Sequence, residues 1–259
     1  MALDCFVTAR HVVAHYNYDL LPPQIEIHRE HMWVYLETEM RAKSDPEALV
    51  GGLLDVTWTN AHMETDLATL TVRTNEKARR WLRPVKLALR MPELGEPVVA
   101  FGYDHLLAEG TLDVPPQEVV LTLERRFSAG VGHVAEHQLE RRITMGLHRT
   151  SPGFRSTTPT FSGMSGGPVF DLANEVVGFN SGSNEPNEHN AEWDSFVSGT
   201  ASALELSYRL PPGSTTNEPV QMIELVRRGL IDCAAYDTYD VDPATGDTRY
   251  LDPSRSAGG

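Results

Sequence analysis

Residues 163–168 read Gly163-Met164-Ser165-Gly166-Gly167-Pro168, a turn that sets one serine among three glycines and a proline. Glycine takes positive φ without steric cost and lets another backbone approach, so a serine flanked by glycines can hold its hydroxyl exposed on a sharp turn. The bland reading is a Gly-rich loop between Phe161 and the strand-like run that starts at Val169. What decides between them is whether the rest of the chain supplies what the hydroxyl needs. A serine is a weak nucleophile until an imidazole takes its proton, and that imidazole needs a carboxylate to fix its tautomer and balance its charge.

Two upstream residues have that chemistry. His11 lies in Val7-Thr8-Ala9-Arg10-His11-Val12-Val13 and Asp66 in Thr65-Asp66-Leu67-Ala68-Thr69-Leu70, each at the end of a strand-like apolar run. A lone polar residue at such a place usually satisfies nearby backbone. Taken with the serine turn, and in the order His, Asp, Ser, they form a base, an orienter and a nucleophile.

The surrounding pattern is β-rich. Strand-like runs occur at residues 5–13, 32–36, 53–58, 67–72, 97–102, 118–123, 130–136, 169–170, 175–179 and 195–206, separated by turn-formers such as Pro22-Pro23, Leu94-Gly95-Glu96 and Pro115-Pro116. Short strands at this spacing predict a sandwich or barrels rather than a parallel α/β sheet. Residues 104–117 mark the boundary between two halves, 1–110 and 111–212. Pro219, the apolar Val220, Ile223 and Val226, the basic Arg227-Arg228 and then Gly229 give the start, stripe and stop of a helix within 213–236. Residues 237–259 read as a polar tail that frays.

Composition removes several function classes. With 22 basic against 36 acidic residues and a formal net charge of -14, binding to a phosphate backbone is not expected. No run approaches the ~18 uninterrupted apolar residues of a membrane span, and Met1-Ala2-Leu3-Asp4-Cys5 is not a basic segment leading into an apolar one, so a cytoplasmic protein is expected. Cys5 and Cys233 are too few for a disulfide framework, and reduced thiols are the default. No cofactor and no metal is called for.

The sequence resembles the trypsin-like (chymotrypsin-fold) serine peptidases, particularly the bacterial ones. Thr8-Ala9-Arg10-His11 is similar to the family's histidine motif, Asp66-Leu67-Ala68 to its aspartate motif and residues 163–168 to its nucleophile motif, with coverage from about Cys5 to Leu206. The resemblance implies an all-β fold of two six-stranded antiparallel barrels with a C-terminal helix, His11 and Asp66 coming from the first barrel and Ser165 from the second. It also implies hydrolysis of a peptide or protein substrate, an oxyanion hole made by the Gly163 and Ser165 N–H groups, and a substrate-pairing edge at Ser181 and Gly182.

Three departures from the family matter. Met164 replaces the acid of the zymogen switch. Pro159 replaces the acid that selects Lys or Arg, so a pocket for small or apolar side chains is expected. Only ten residues precede His11, which leaves the first barrel short of a strand at its N-terminal edge. A strand donated from upstream, from the tail or from a partner is expected to fill it.

Three other readings compete. Gly163-x-Ser165-x-Gly167 also fits a nucleophile elbow, but Pro168 and the strand at 175–179 offer no following helix, and the histidine after the serine would have to be His189. His133-Val134-Ala135-Glu136-His137 fits a zinc pattern that needs a helix, whereas Gly130-Val131-Gly132 favours a strand; His28-x-x-His31 reads as a solvated turn. The runner-up in function is a non-catalytic module that grips an extended peptide on an incomplete peptidase fold.

Overall fold

The structure is a computed structural model that describes residues 5–17, 24–27, 33–41, 49–62, 65–74, 76–80, 82–111, 120–138, 142–144, 147–149, 152–188, 191–209, 218–234, 239–241 and 248–250. His28, His31, His189, Pro22-Pro23 and Pro115-Pro116 lie outside them.

The first half is an open sheet. Strand β1 (Cys5–Ala9) runs into a helical turn, α1 (Arg10–Val13), followed by a hairpin of β2 (Ala14–Asn17) and β3 (Gln24–Ile27), then β4 (Trp33–Arg41), β5 (Leu49–Ala61) and β6 (Leu67–Val72). The strand order is β1-β6-β5-β4, with β2 and β3 paired separately. Where six strands in a barrel are expected, the described residues form four in an open sheet. Strand β6 is buried along its whole length because its two faces meet different neighbours. Ala68, Leu70 and Val72 join an apolar cluster with Val13 and Leu54, while Leu67 joins the cluster between the two halves.

The second half closes. After α2 (Glu76–Arg79) and the short β7 (Leu87–Ala88) come β8 (Pro97–Thr111), β9 (Val120–Gln138), a small hairpin of β10 (Arg142–Thr144) and β11 (Leu147–Arg149), then β12 (Gly153–Ser156), β13 (Pro168–Phe170), β14 (Val176–Asn184) and β15 (Asp194–Gly199). Strands β13-β8-β9-β12-β15-β14 form a ring, shut by the β13–β14 pairing, so this half is a closed six-stranded antiparallel barrel. Period-two patterning accounts for its filling: Val98, Ala100, Val134, Phe154, Val169, Val177 and Val197 point inward around Met164. Strand β8 reaches past residue 110 and pairs with β9 from Pro97 to Thr111, so the stretch just before the expected boundary belongs to this barrel. Gly130 and Gly132 let residues 157–159 lie flat on β9, since a Cβ there would come within 2.0 Å of the Pro159 carbonyl oxygen and 2.5 Å of the Thr158 nitrogen.

The chain after β15 differs most from the sequence pattern. Residues expected as strand to 206 form a buried 3-10 helix, Thr200–Glu205, and then β16 (Ser207–Arg209). Pro219 and Val220 lie in β17 (Pro219–Gln221), paired with β16, and the helix α3 (Met222–Arg227) starts only after them. Gly229, at φ 67°, ends it, and the Leu230 N–H bonds back to the Leu225 carbonyl. Strand β18 (Cys233–Ala234) then adds in parallel to β7. Within the expected fraying tail, β19 (Tyr239–Val241) and β20 (Thr248–Tyr250) pair as a hairpin. No described helix is long and apolar enough to cross a membrane.

Candidate active site

His11 sits on the α1 turn, two residues beyond the end of the β1 ladder. The ladder places it: the Arg10 N–H donates to the Asp66 carbonyl at 3.0 Å, the last rung of β1 against the start of β6. Asp66 therefore faces the α1 turn and receives two bonds there, from the His11 backbone N–H (3.0 Å to Oδ1) and from the His11 ring (Nδ1 to Oδ2, 2.7 Å). The carboxylate is 7% exposed and the ring 48%, so the pair has a buried anchor and an open imidazole. The Asp66 bond raises the His11 pKa above its ordinary value; burial and the neighbouring Arg10 charge oppose that rise, and the Asp66 charge adds to it. With Nδ1–H given to Asp66, the neutral ring carries its free lone pair on Nε2.

Residues with no assigned role in the sequence reading hold Asp66 in place. The buried Arg10 guanidinium donates to the Thr65 carbonyl at 3.0 Å and to the His62 carbonyl at 3.3 Å. His62 in turn accepts the Thr65 N–H on Nδ1 and bonds Glu205 through Nε2 at 2.7 Å. Arg10 lies inside the quoted histidine motif, but its partners are more than 50 residues away, and no local spacing announces them.

Ser165 lies on a turn clamped from three sides. The Met164 N–H donates to Phe161 and the Gly167 N–H to Met164, while the Gly166 N–H bonds the Asn180 carbonyl at 2.7 Å and the Asn180 N–H returns to Gly167 at 2.9 Å. Gly163 has φ 98° and lies so close to β8 that a Cβ would come within 2.7 Å of the Tyr103 carbonyl oxygen. Gly166 has φ 81°, and a Cβ there would fall 2.2 Å from Thr8 Oγ1 and 2.6 Å from the Ala9 nitrogen. The serine turn thus packs on the end of β1, immediately before His11. Among the described residues, no hydrogen bond joins Ser165 to His11, and neither the Gly163 nor the Ser165 N–H donates to a protein acceptor.

The other expected residues lie around this turn. Pro159 is half-buried in a run whose hydroxyls are internally bonded: Ser156 to Thr158 at 2.9 Å and Thr160 to Ser195 at 2.7 Å. Ser181 lies at a register shift of β14 against β15, with Oγ 2.6 Å from Ser198 Oγ. Gly182 has open space where a Cβ would be. From Ser181 to Asn184, β14 pairs with β15 alone among the described residues, which leaves its other edge available to an extended chain. His133 and His137 are on strand β9, bonded separately to Thr157 and to the Pro92 carbonyl.

The family described as the trypsin-like peptidase domain matches residues 2–179. No curated protein matches the chain. Among solved structures, the chain is similar to a serine endoprotease from Yersinia pestis at 16% identity, covering 78% of this chain and 53% of that one with a TM-score of 0.44. The active form of the Rv3671c protease from M. tuberculosis aligns at 17% identity over 86% of this chain and 75% of its own, TM-score 0.45. The HtrA-type protease AlgW with decapeptide aligns at 16% over 79% and 47%, TM-score 0.46. The chain therefore spans about half the length of the first and third of these.

Proposed function

Because the chain belongs to the trypsin-like (chymotrypsin-fold) serine peptidase family, we propose that it is a serine endopeptidase acting through an acyl-enzyme. Ser165 attacks the scissile carbonyl, His11 Nε2 takes the hydroxyl proton and passes it to the leaving amine, and Asp66 holds the ring and balances its charge. The N–H groups of Gly163 and Ser165, which have no protein acceptor among the described residues, receive the oxyanion. The observation that carries this reading is the 2.7 Å bond from His11 Nδ1 to Asp66, made where the serine turn packs on β1.

The substrate lies extended along Ser181 and Gly182, and Pro159, standing where an acid would select Lys or Arg, favours a small or apolar side chain. On this reading residues 1–110 carry base and orienter, 111–212 the nucleophile, 213–236 the packed helix and 237–259 the tail, with β8 crossing the division. The edge of β1 that no strand pairs among the described residues supports a further strand pairing there to complete the first sheet as a barrel, supplied by this chain or by a partner.

The absence of a Ser165–His11 hydrogen bond favours the second reading, a peptide-binding module without turnover. Labelling decides between them. A fluorophosphonate is expected to modify Ser165, and Ser165→Ala to remove the label and lower hydrolysis of a peptidyl ester by about 10⁴-fold or more. A folded chain that binds extended peptides but takes no label is the module. On the active enzyme, a peptide-library profile dominated by Lys or Arg overturns the pocket assignment.

A further inference from the structure

The strand that follows the serine turn, β13, is flanked by β14 on one side, with Pro168 opposite Phe179, and by β8 on the other, with Val169 opposite Ala100. A peptide lying across Ser165 therefore has one arm toward β14 and the other toward β8. The free edge of β14 at Ser181 and Gly182 takes the first arm by strand pairing, and what β8 offers the second is a row of aromatic rings.

Phe170 packs against the cluster between the two halves. Phe101 meets it edge-on at 5.6 Å, Phe127 stacks on Phe101 at 5.8 Å, and Tyr103 meets Phe127 edge-on at 5.6 Å. The row so runs outward from the seam and ends in two exposed rings, Phe127 at 60% and Tyr103 at 37%. Its outer end adjoins the serine turn through the backbone, because the Tyr103 carbonyl is the group that crowds Gly163. It is also held rigidly. Asp104, in the register shift just after Tyr103, accepts from Arg126 at 2.7 Å and Ser128 at 2.8 Å across the hairpin. At Gly102 the strand lies so close to the serine turn that a Cβ would come within 2.8 Å of Met164 Cα. An exposed, preorganised aromatic surface beside the serine turn gains most from covering an apolar side chain.

We propose that Tyr103 and Phe127 form a subsite for an apolar or aromatic side chain of the peptide segment downstream of the scissile bond. The inference rests on the peptidase reading above. In that reaction the amide C–N bond breaks as the Ser165 ester forms, the serine proton passes through His11 to the departing amine, and the segment carrying that amine is the one seated on the rings.

The test is the ratio of kcat/KM for two peptides that are identical up to the scissile bond and carry Leu-Phe or Gly-Gly just after it. The unaltered protein is expected to prefer the apolar peptide by about tenfold or more. Phe127→Ser should bring the ratio near unity, and Phe127→Leu, which keeps apolar area, should retain most of it. A small peptidyl methyl ester, which has no downstream residue, reports on the Ser165 machinery separately. Ester turnover with a peptide ratio near unity in the unaltered protein, or a ratio that Phe127→Ser leaves intact, overturns the subsite alone. Absence of both ester turnover and fluorophosphonate labelling overturns the peptidase reading and the subsite with it.

Discussion

The His11 imidazole binds its proton more tightly than a free histidine because Asp66 accepts from Nδ1, and in the proposed role of general base it would work only when neutral. The acid limb of kcat/KM is therefore expected above pH 6.5, the ordinary histidine value, and Asp66→Asn should move it down while lowering kcat by about 10⁴-fold, as loss of a triad carboxylate does. A pH–rate profile of both proteins checks this. The same linkage acts on stability with a definite sign: a folded-state pKa above the unfolded one stabilises fully below pH 6.5, and that contribution is lost as pH rises through the raised value. Exposure of half the ring keeps the contribution small. Glycine supplies the second residue-scale prediction. Gly166→Ala meets both a positive φ and the β1 backbone, and should cost about 1–3 kcal/mol by denaturant unfolding. Gly95→Ala, at φ 80° with open space around it, should cost only the conformational part, about 1 kcal/mol. Equal losses in the two would mean that the turn does not press on β1. At this scale the sequence offered His11, Asp66 and Ser165 as candidates because each sits in a short, chemically unusual string. It did not disclose the work of Arg10, His62 or Glu205, whose bonds join segments far apart in the chain.

Elements were legible where one face decides them. The alternation of Val98 and Ala100 with Val99 and Phe101 marks a barrel strand, and the polar–apolar stripe with Gly229 marks the end of α3. Residues 200–204 gave no such signal: Thr200, Ala201, Ser202, Ala203 and Leu204 are all buried, so no period separates a 3-10 turn from a strand. Val220 reads as helical until β16 pairs with it. The turn between β13 and β14 depends on one carboxylate. Asp171 Oδ1 accepts the Ala173 and Glu175 N–H groups at 2.9 Å, while Oδ2 takes Arg90 at 2.5 Å, and Arg90 also binds Glu96. That side chain is 1% exposed. Arg90→Ala would leave it buried without its counter-charge, and a loss of about 3 kcal/mol or more is expected in denaturant unfolding. A loss below about 1 kcal/mol would show that the Asp171 backbone bonds suffice.

At the scale of the whole molecule, an open sheet and a closed barrel share a seam. Leu67 from the sheet, Val176 and Phe179 from the barrel, and Met222 and Leu225 from α3 form one apolar cluster, and Thr69 and Thr71 donate to the Ser207 and Arg209 carbonyls across it. Neither half can shed the other without uncovering this cluster. Unfolding is therefore expected as one transition, with far-UV dichroism and tryptophan fluorescence changing together; two separated midpoints would contradict it. Strand spacing alone left a sandwich or barrels open, because closure depends on which distant edges meet, here β13 with β8 and with β14; the family resemblance supplied the barrel. Both cysteines end up against the same seam, Cys5 with its sulfur 3.8 Å from Met222 Sδ and Cys233 on β18. Burial pushes both thiols up to about 12, which disfavours the reactive thiolate. Slow alkylation of the folded protein is expected. A cysteine introduced at an exposed position such as 127 can carry a fluorophore or spin label with both native sulfurs left in place, and any native labelling that does appear becomes a clock for the opening of the seam.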